Sequence, residues 1–300
     1  MTAGNDWTPI IIIGAARSGT KLIRGLIAAH PAVCAVPYDV PFVWRYGNEF
    51  LPHDAIPPER ATPRVRRYIR KQLGRMARIQ RHPDARFVVE KTVGNTLRVP
   101  FVADVLPDAR FVHVVRDGRA VTESAMRMWQ EPPQAKYLLE KLRYFPFSNV
   151  RYAFWYAWNI AKGRLRGSKG VHLWGPRYPG IEEDVHRLSL VEVCATQWRM
   201  SVEYARRDLA GIAPDRKIEV RYETLLDDPS VTDRLAEALG LDDAGPMHAY
   251  YSQTVRRDTK DKWQEGLTDQ QQASMMKIIR PTLEELGYLD ASAGSGTTAP

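Results

Sequence analysis

The run Gly14-Ala15-Ala16-Arg17-Ser18-Gly19-Thr20-Lys21 packs two glycines, two hydroxyls and two cations into eight residues, a composition suited to holding an anion. Gly14 and Gly19 permit a tight turn. A helix starting behind them leaves its first N–H groups free, and Arg17 and Lys21 add positive charge. The ligand this implies carries phosphate or a group of that shape. The spacing from Gly14 to Gly19 is that of the nucleoside triphosphate loop G-x-x-x-x-G-K-[ST], yet the next two residues are Thr20-Lys21, in transposed order. Neither the lysine nor the magnesium-binding hydroxyl of that loop is therefore in its place.

A second anion site is predicted at Arg116-Asp117-Gly118-Arg119, with Ser124 eight residues beyond Arg116. If a helix begins near Asp117 or Gly118, a forked guanidinium and a hydroxyl share its mouth and one dianion. Asp117 fits equally well as a plain N-cap, with Arg119 solvated. Among acids, Asp39 is the only carboxylate between Arg17 and Glu49, and Pro37 and Pro41 stiffen the loop that carries it. Lys91 closes the apolar run Val88-Val89-Glu90-Lys91, with an ion pair to Glu90 as the alternative role.

These residues need strands and helices to position them. Apolar, β-branched runs predict strands over 9–13, 87–90, 110–115 and 217–221, with a short one near 33–36. Helical spacing predicts helices over 20–29, 62–80, 95–105, 118–129, 149–163, 185–208, 230–239 and 269–286. The alternation is that of an α/β chain with a parallel sheet, and ligands of such sheets bind beyond the carboxyl ends of the strands, where each run above lies.

Arg17-Ser18-Gly19-Thr20, followed by a leucine-rich helix and His30-Pro31, resembles the 5′-phosphosulfate loop of sulfotransferases that use 3′-phosphoadenosine 5′-phosphosulfate (PAPS). The Arg116 to Ser124 segment is similar to that family's 3′-phosphate motif. Val220-Arg221-Tyr222-Glu223-Thr224-Leu225 resembles its V-x-Y-E-x-L segment, whose tyrosine approaches the adenine. Lys260 to Thr268 is similar to its late basic loop, and Glu90-Lys91-Thr92 to the E-K-[ST] segment of carbohydrate and tyrosine sulfotransferases, whose lysine lies near the transferring group.

The resemblance implies a P-loop NTPase-like parallel β-sheet flanked by helices, PAPS as donor and no metal. It implies donor contacts from Arg17, Ser18, Gly19, Thr20, Lys21, Arg116, Ser124, Tyr222, Lys262 and Trp263. The catalytic set is Arg17, Asp39, Lys91 and Ser124, with Arg17 on the 5′ side. In-line sulfuryl transfer needs a base for the acceptor and cations for the leaving phosphate. Tyr38 stands where the tyrosine-sulfating branch carries a glutamate, with Asp39 one position later. The K-x-H histidine of the phenol- and steroid-sulfating branch is absent at Lys91-Thr92-Val93, and His113 reads as a core residue inside its strand. The chain is thus nearer the tyrosine- and carbohydrate-sulfating branch.

Three hundred residues with 44% apolar content support one domain over 1–290, and the low-complexity tail 291–300 is expected to be disordered. The net charge of +8 suits a polyanionic nucleotide, nucleic acid or an anionic membrane surface alike. Cys34 and Cys194 lack metal-ligand spacing, and a reduced, cytoplasmic setting is expected.

The acceptor is expected to be a small-molecule or glycan hydroxyl, on a sugar, a tyrosine, a phenol or a lipid headgroup, and not nucleic acid. Its pocket is sought among Tyr144, Phe145, Phe147, Tyr152, Phe154, Trp155, Tyr156, Trp158, Trp174, Tyr178 and the cations between them, with Trp44-Arg45-Tyr46 as the opposite wall and Trp174 to Arg177 as a lid. Ten arginines and lysines lie between Arg60 and Arg86, around an apolar stripe of Val65, Ile69, Leu73 and Met76. They form either a solvated face or a contact for a polyanionic acceptor or lipid headgroups. The competing functions are a P-loop kinase-like phosphotransferase, which would need magnesium, and a non-catalytic nucleic-acid or membrane binder.

Overall fold

The computed structural model describes residues 7–79, 85–131, 174–256 and 263–290. Five strands, β1 (Thr8–Ile13), β2 (Val33–Ala35), β3 (Phe87–Glu90), β4 (Arg110–Val115) and β5 (Lys217–Arg221), form one sheet in the order β2-β3-β1-β4-β5. Every pairing is parallel, with Ile11 opposite Glu90 on one side of β1 and Phe111 on the other. The chain leaves β1 toward β2 on one side and later returns past it to β4, which makes the carboxyl ends of β1 and β4 the crevice where the strand order reverses.

Both faces of the sheet are covered, as parallel sheets require. Alternation along β1 sends Ile11 and Ile13 to one face and Ile10 and Ile12 to the other, all at most 1% exposed. The first pair packs with α3 (Pro63–Ile79) and α4 (Val99–Val105), and the second with α1 (Thr20–Ala28), α9 (Val231–Leu239) and α10 (Gly245–Thr254). A third cluster joins α5 (Gly118–Gln130), α7 (Leu190–Leu209) and α12 (Asp269–Glu285) around Trp198.

The helix expected over 185–208 is two: α6 (Ile181–Arg187) ends before Ser189, which opens α7 with a reciprocal capping box to Glu192. The helix expected over 95–105 is a 3₁₀ turn over Val93–Leu97 followed by α4, whose first turn carries Pro100. Three short helices escape periodicity because they span too few turns: α2 (Pro41–Trp44), α8 (Tyr222–Asp227) and α11 (Trp263–Gly266). The expected helix 149–163 and the tail 291–300 lie outside the described residues.

On α3 the apolar stripe is buried, as its spacing requires. Arg70 is paired with Asp108 at 2.6 Å, and Arg66 faces Asp104 at 3.5 Å. Arg67, Lys71 and Arg75 are exposed. Among the described residues no helix is long and apolar enough to cross a membrane.

Candidate functional site

Beyond β1 the chain makes its anion loop under strain. Arg17 is the only non-glycine among the described residues with a left-handed backbone, at φ 71°. That conformation costs an L-residue about 1 kcal/mol. It is held by Arg116 Nη1, which donates to the Arg17 carbonyl at 2.9 Å, and by a turn from Ser18 N to the Ala15 carbonyl at 3.2 Å. Gly19 follows at φ 84° as the N-cap of α1, with no side-chain cap and no acid in the first turn, so the helix start keeps free N–H groups. Ser18 is 1% exposed and its Oγ has no hydrogen-bond partner among the described residues, a buried polar atom turned toward the place an anion would take.

Arg17 Nε donates to Ser124 Oγ at 2.9 Å, across the crevice from β1 to α5. Sequence reasoning pairs Ser124 with Arg116; here Arg17 takes that hydroxyl, while the Arg116 guanidinium lies 4.3 Å over the Tyr222 ring. Arg17 thus joins the two residues that the second predicted site was built from. Burial, then the Arg116 and Arg127 charges, hold the Arg17 guanidinium below its ordinary range. Among the described residues neither Arg17 nor Arg116 has a carboxylate ion-pair partner, whereas Arg127 is paired with Glu123 at 2.8 Å. Like charges crowded together, with Glu131 acting on Arg17 only at a distance, favour a further anion between them.

Asp117 is the N-cap of α5, accepting from Arg119 N at 2.8 Å and pairing with the Arg119 guanidinium. Arg119 in turn lies 4.9 Å over the ring of Trp263, which brings that residue to the site's edge.

The mouth of α5 is braced by three residues that the sequence reading did not single out. Trp198 Nε1 donates to the Arg116 carbonyl at 3.2 Å, and its ring lies where a Cβ on Gly118 would stand, 2.7 Å away. Glu223 accepts from Asp117 N at 3.0 Å and from Tyr288 Oη at 2.7 Å. Glu223 stood in the quoted segment beside Tyr222 and could have been found there. Trp198 and Tyr288 reach the site only by packing.

The other half of the site lies at the ends of β2 and β3. Arg24 Nη1 donates to the carbonyls of Val36 and Pro37, at 3.1 and 2.7 Å, and Thr92 Oγ1 accepts from Val40 N at 2.9 Å. Between these ties Asp39 is presented to Lys91, Nζ to Oδ1 2.5 Å. Asp39 is therefore an ion-paired carboxylate rather than a free one, and Lys91 pairs with it instead of with Glu90. Neighbouring strand residues point to opposite faces, and Glu90 turns inward.

Several expectations are corrected. Trp44 and Arg45 are core residues, 0% and 2% exposed, with Arg45 bound to Asp54 at 2.9 Å; only Tyr46 is partly open, stacked on Tyr68 at 3.6 Å. Trp174 to Arg177 is no loose lid: Gln197 Nε2 holds the carbonyls of Trp174 and Pro176 at 2.9 and 2.8 Å, and Arg177 N donates to Asp54 Oδ2 at 2.9 Å. Thr20 is buried in the first turn of α1, and Lys21 is exposed there, outside the hydrogen bonds of the cluster. His113 is buried, as expected, with Nδ1 3.0 Å from Glu219 Oε2. Lys262 and the aromatics from Tyr144 to Trp158 lie outside the described residues.

Residues 9–157 match the profile of the Sulfotransferase family. Among solved structures, the sulfotransferase domain from the curacin biosynthetic pathway is 15% identical and aligns over 92% of this chain and 97% of its own, with a TM-score of 0.52. Sulfotransferase STF9 from Mycobacterium avium is 15% identical over 94% of this chain and 77% of its own, TM-score 0.53. The sulfotransferase domain of the Synechococcus PCC 7002 olefin synthase is 17% identical over 93% and 96%, TM-score 0.51. At such identities the likeness is one of fold. No curated protein matches the chain.

Proposed function

The chain belongs to the sulfotransferase family, and from that premise we propose that it moves a sulfuryl group from PAPS onto the hydroxyl of an acceptor. The observation that carries this reading is that Arg17, Arg116 and Ser124 come together at the carboxyl ends of β1 and β4. Ser18 Oγ and the free N–H groups of α1 suit the 5′ side, and Arg17, Arg116 and Ser124 suit the 3′-phosphate. Tyr222, pressed on Gly19, offers a ring face to the adenine, and Trp263, over which Arg119 lies, belongs to the same edge; Lys262, its neighbour in sequence, is kept as a donor contact. The bound donor would supply a sulfuryl group whose bond to the phosphate oxygen breaks as a bond to the acceptor oxygen forms.

Asp39 takes the proton of the acceptor hydroxyl. As it becomes neutral it gives up Lys91, whose ammonium is then free to meet charge developing on the leaving phosphate. The acceptor is a sugar, phenol, tyrosine or lipid hydroxyl. Two buried, unbridged cysteines, Cys34 and Cys194, suit a reducing cytoplasm.

The test is calorimetric titration with the product nucleotide, 3′,5′-diphosphoadenosine, without magnesium, beside ATP and beside the Arg116→Ala/Ser124→Ala variant. Binding that is lost in the variant and much weaker for ATP supports the assignment. No binding, or tighter magnesium-dependent binding of ATP, overturns it in favour of a kinase-like phosphotransferase.

A further inference from the structure

Glu90 is the last residue of β3 and is 0% exposed. Its Oε1 accepts from Thr92 Oγ1 at 2.5 Å and its Oε2 from Asn95 Nδ2 at 3.0 Å. The same Thr92 hydroxyl accepts the N–H of Val40, the residue after Asp39. One hydroxyl therefore joins Glu90 to the backbone that presents Asp39.

The charges around Glu90 divide into two groups. On the site side, Asp39 holds the Lys91 ammonium at 2.5 Å, and Glu90 lies near enough to feel both of their charges. On the far side, Asp54 alone faces the guanidiniums of Arg45, at 2.9 Å, and Arg98, at 3.4 Å. Asn95 stands between, donating to Glu90 and accepting from Arg98 Nε at 2.9 Å. Two carboxylates beside one ammonium leave a surplus negative charge in a buried place.

We propose that Glu90 is a positioning residue for the transfer reaction, holding Asp39 through Thr92 and setting, by gaining or losing a proton, how firmly Lys91 is bound to Asp39. This rests on Asp39 and Lys91 acting as in the proposed function. Burial, and then the Asp39 charge, push the Glu90 carboxyl up to about 7, against the Thr92 hydrogen bond and the Lys91 charge, which pull it down. With Glu90 neutral, Lys91 stays on Asp39. Once Glu90 ionises, it competes for Lys91 and repels Asp39, which makes Asp39 the stronger base. The competent form is the one above the Glu90 transition.

The first readout is infrared titration of the carbonyl band of a protonated carboxylic acid, in the wild-type protein and in Glu90→Gln. The second is pulse acetylation of Lys91 by acetic anhydride across the same pH range, quantified by mass spectrometry, with Glu90→Asp as the conservative rescue. A wild-type acid band lost near pH 7 and missing in Glu90→Gln is expected. So is an acetylation rate at Lys91 that matches wild type below the Glu90 transition and is lowered about tenfold in Glu90→Gln above it, where the neutral amide keeps Lys91 on Asp39 as the protonated acid does, and that is restored in Glu90→Asp.

No acid band near neutrality in the wild type, or superimposable Lys91 profiles in folded variants, overturns the proposal. Should Glu90→Gln fail to fold, the wild-type band decides alone. Neither readout uses donor or acceptor, so failure of diphosphoadenosine binding sinks the proposed function while leaving the coupling measurable by itself.

Discussion

A Cβ added at Gly19 would lie 2.2 Å from Cδ2 and 2.5 Å from Cε2 of Tyr222, with the backbone at φ +84°. An ordinary carbon contact needs more than 3.4 Å, so in Gly19→Ala the tyrosine ring must withdraw by over 1 Å. The left-handed backbone costs alanine about 1 kcal/mol, and displacing the ring from Arg116 forfeits a cation–π contact worth about 0.5–1 kcal/mol. Gly19→Ala is therefore expected to lose about 2 kcal/mol of stability in urea unfolding, about 30-fold in the folding constant. Its affinity for 3′,5′-diphosphoadenosine falls with it, because the ring no longer faces the adenine.

Tyr222→Ala removes the obstacle, so the double variant should be about 1 kcal/mol more stable than the sum of the two single changes, leaving mainly the backbone cost. A Gly19→Ala protein within about 0.5 kcal/mol of wild type, or single effects that simply add, would refute the reasoning.

Asp54→Asn strands Arg45 and Arg98 in the interior and should cost about 3–5 kcal/mol in urea unfolding. Burial raises the Asp54 carboxyl, but Arg98 and Arg45 outweigh it and hold it below the ordinary 3.8, so its contribution is full above that value and is lost as pH falls through the native one. The acid limb of stability should therefore flatten in the variant. Glu223→Ala leaves Asp117 N and Tyr288 Oη without their acceptor, and diphosphoadenosine should bind about tenfold more weakly as Arg116 loses its brace, a calorimetric measurement. Asp39→Asn should lower transfer of labelled sulfate to an accepted hydroxyl by about 10²–10⁴-fold while nucleotide binding stays at the wild-type level.

Strands and anion loops were legible because their signals are local. Ile10 to Ile13 and Phe111 to Val115 are apolar runs of strand length, and a glycine turn before an apolar helix needs no distant partner to be recognised. The break at Ser189 was equally present as a capping box, though helical periodicity ran across it. Trp44, Arg45 and Trp174 were misjudged for a related reason: an aromatic or cation in a loop carries no mark that tells a pocket wall from a buried anchor. Asp54, which secures Arg45 and Arg177, lies in a stretch without periodicity.

The sequence alone determined where the strands lie and that the glycine turn and the Arg116 run follow β1 and β4, since period and turn chemistry are properties of a few consecutive residues. Only the tertiary structure decided which of them meet. Arg17 reaches Ser124 across 107 positions, and Trp198 reaches the Arg116 carbonyl across 82. Lys91 finds Asp39 rather than the adjacent Glu90 because β3 lies between β2 and β1, and the pleat turns Glu90 to the opposite side. Such pairings follow from the order β2-β3-β1-β4-β5, which is set by how both faces of the sheet are buried at once, and no short stretch of the chain contains that information.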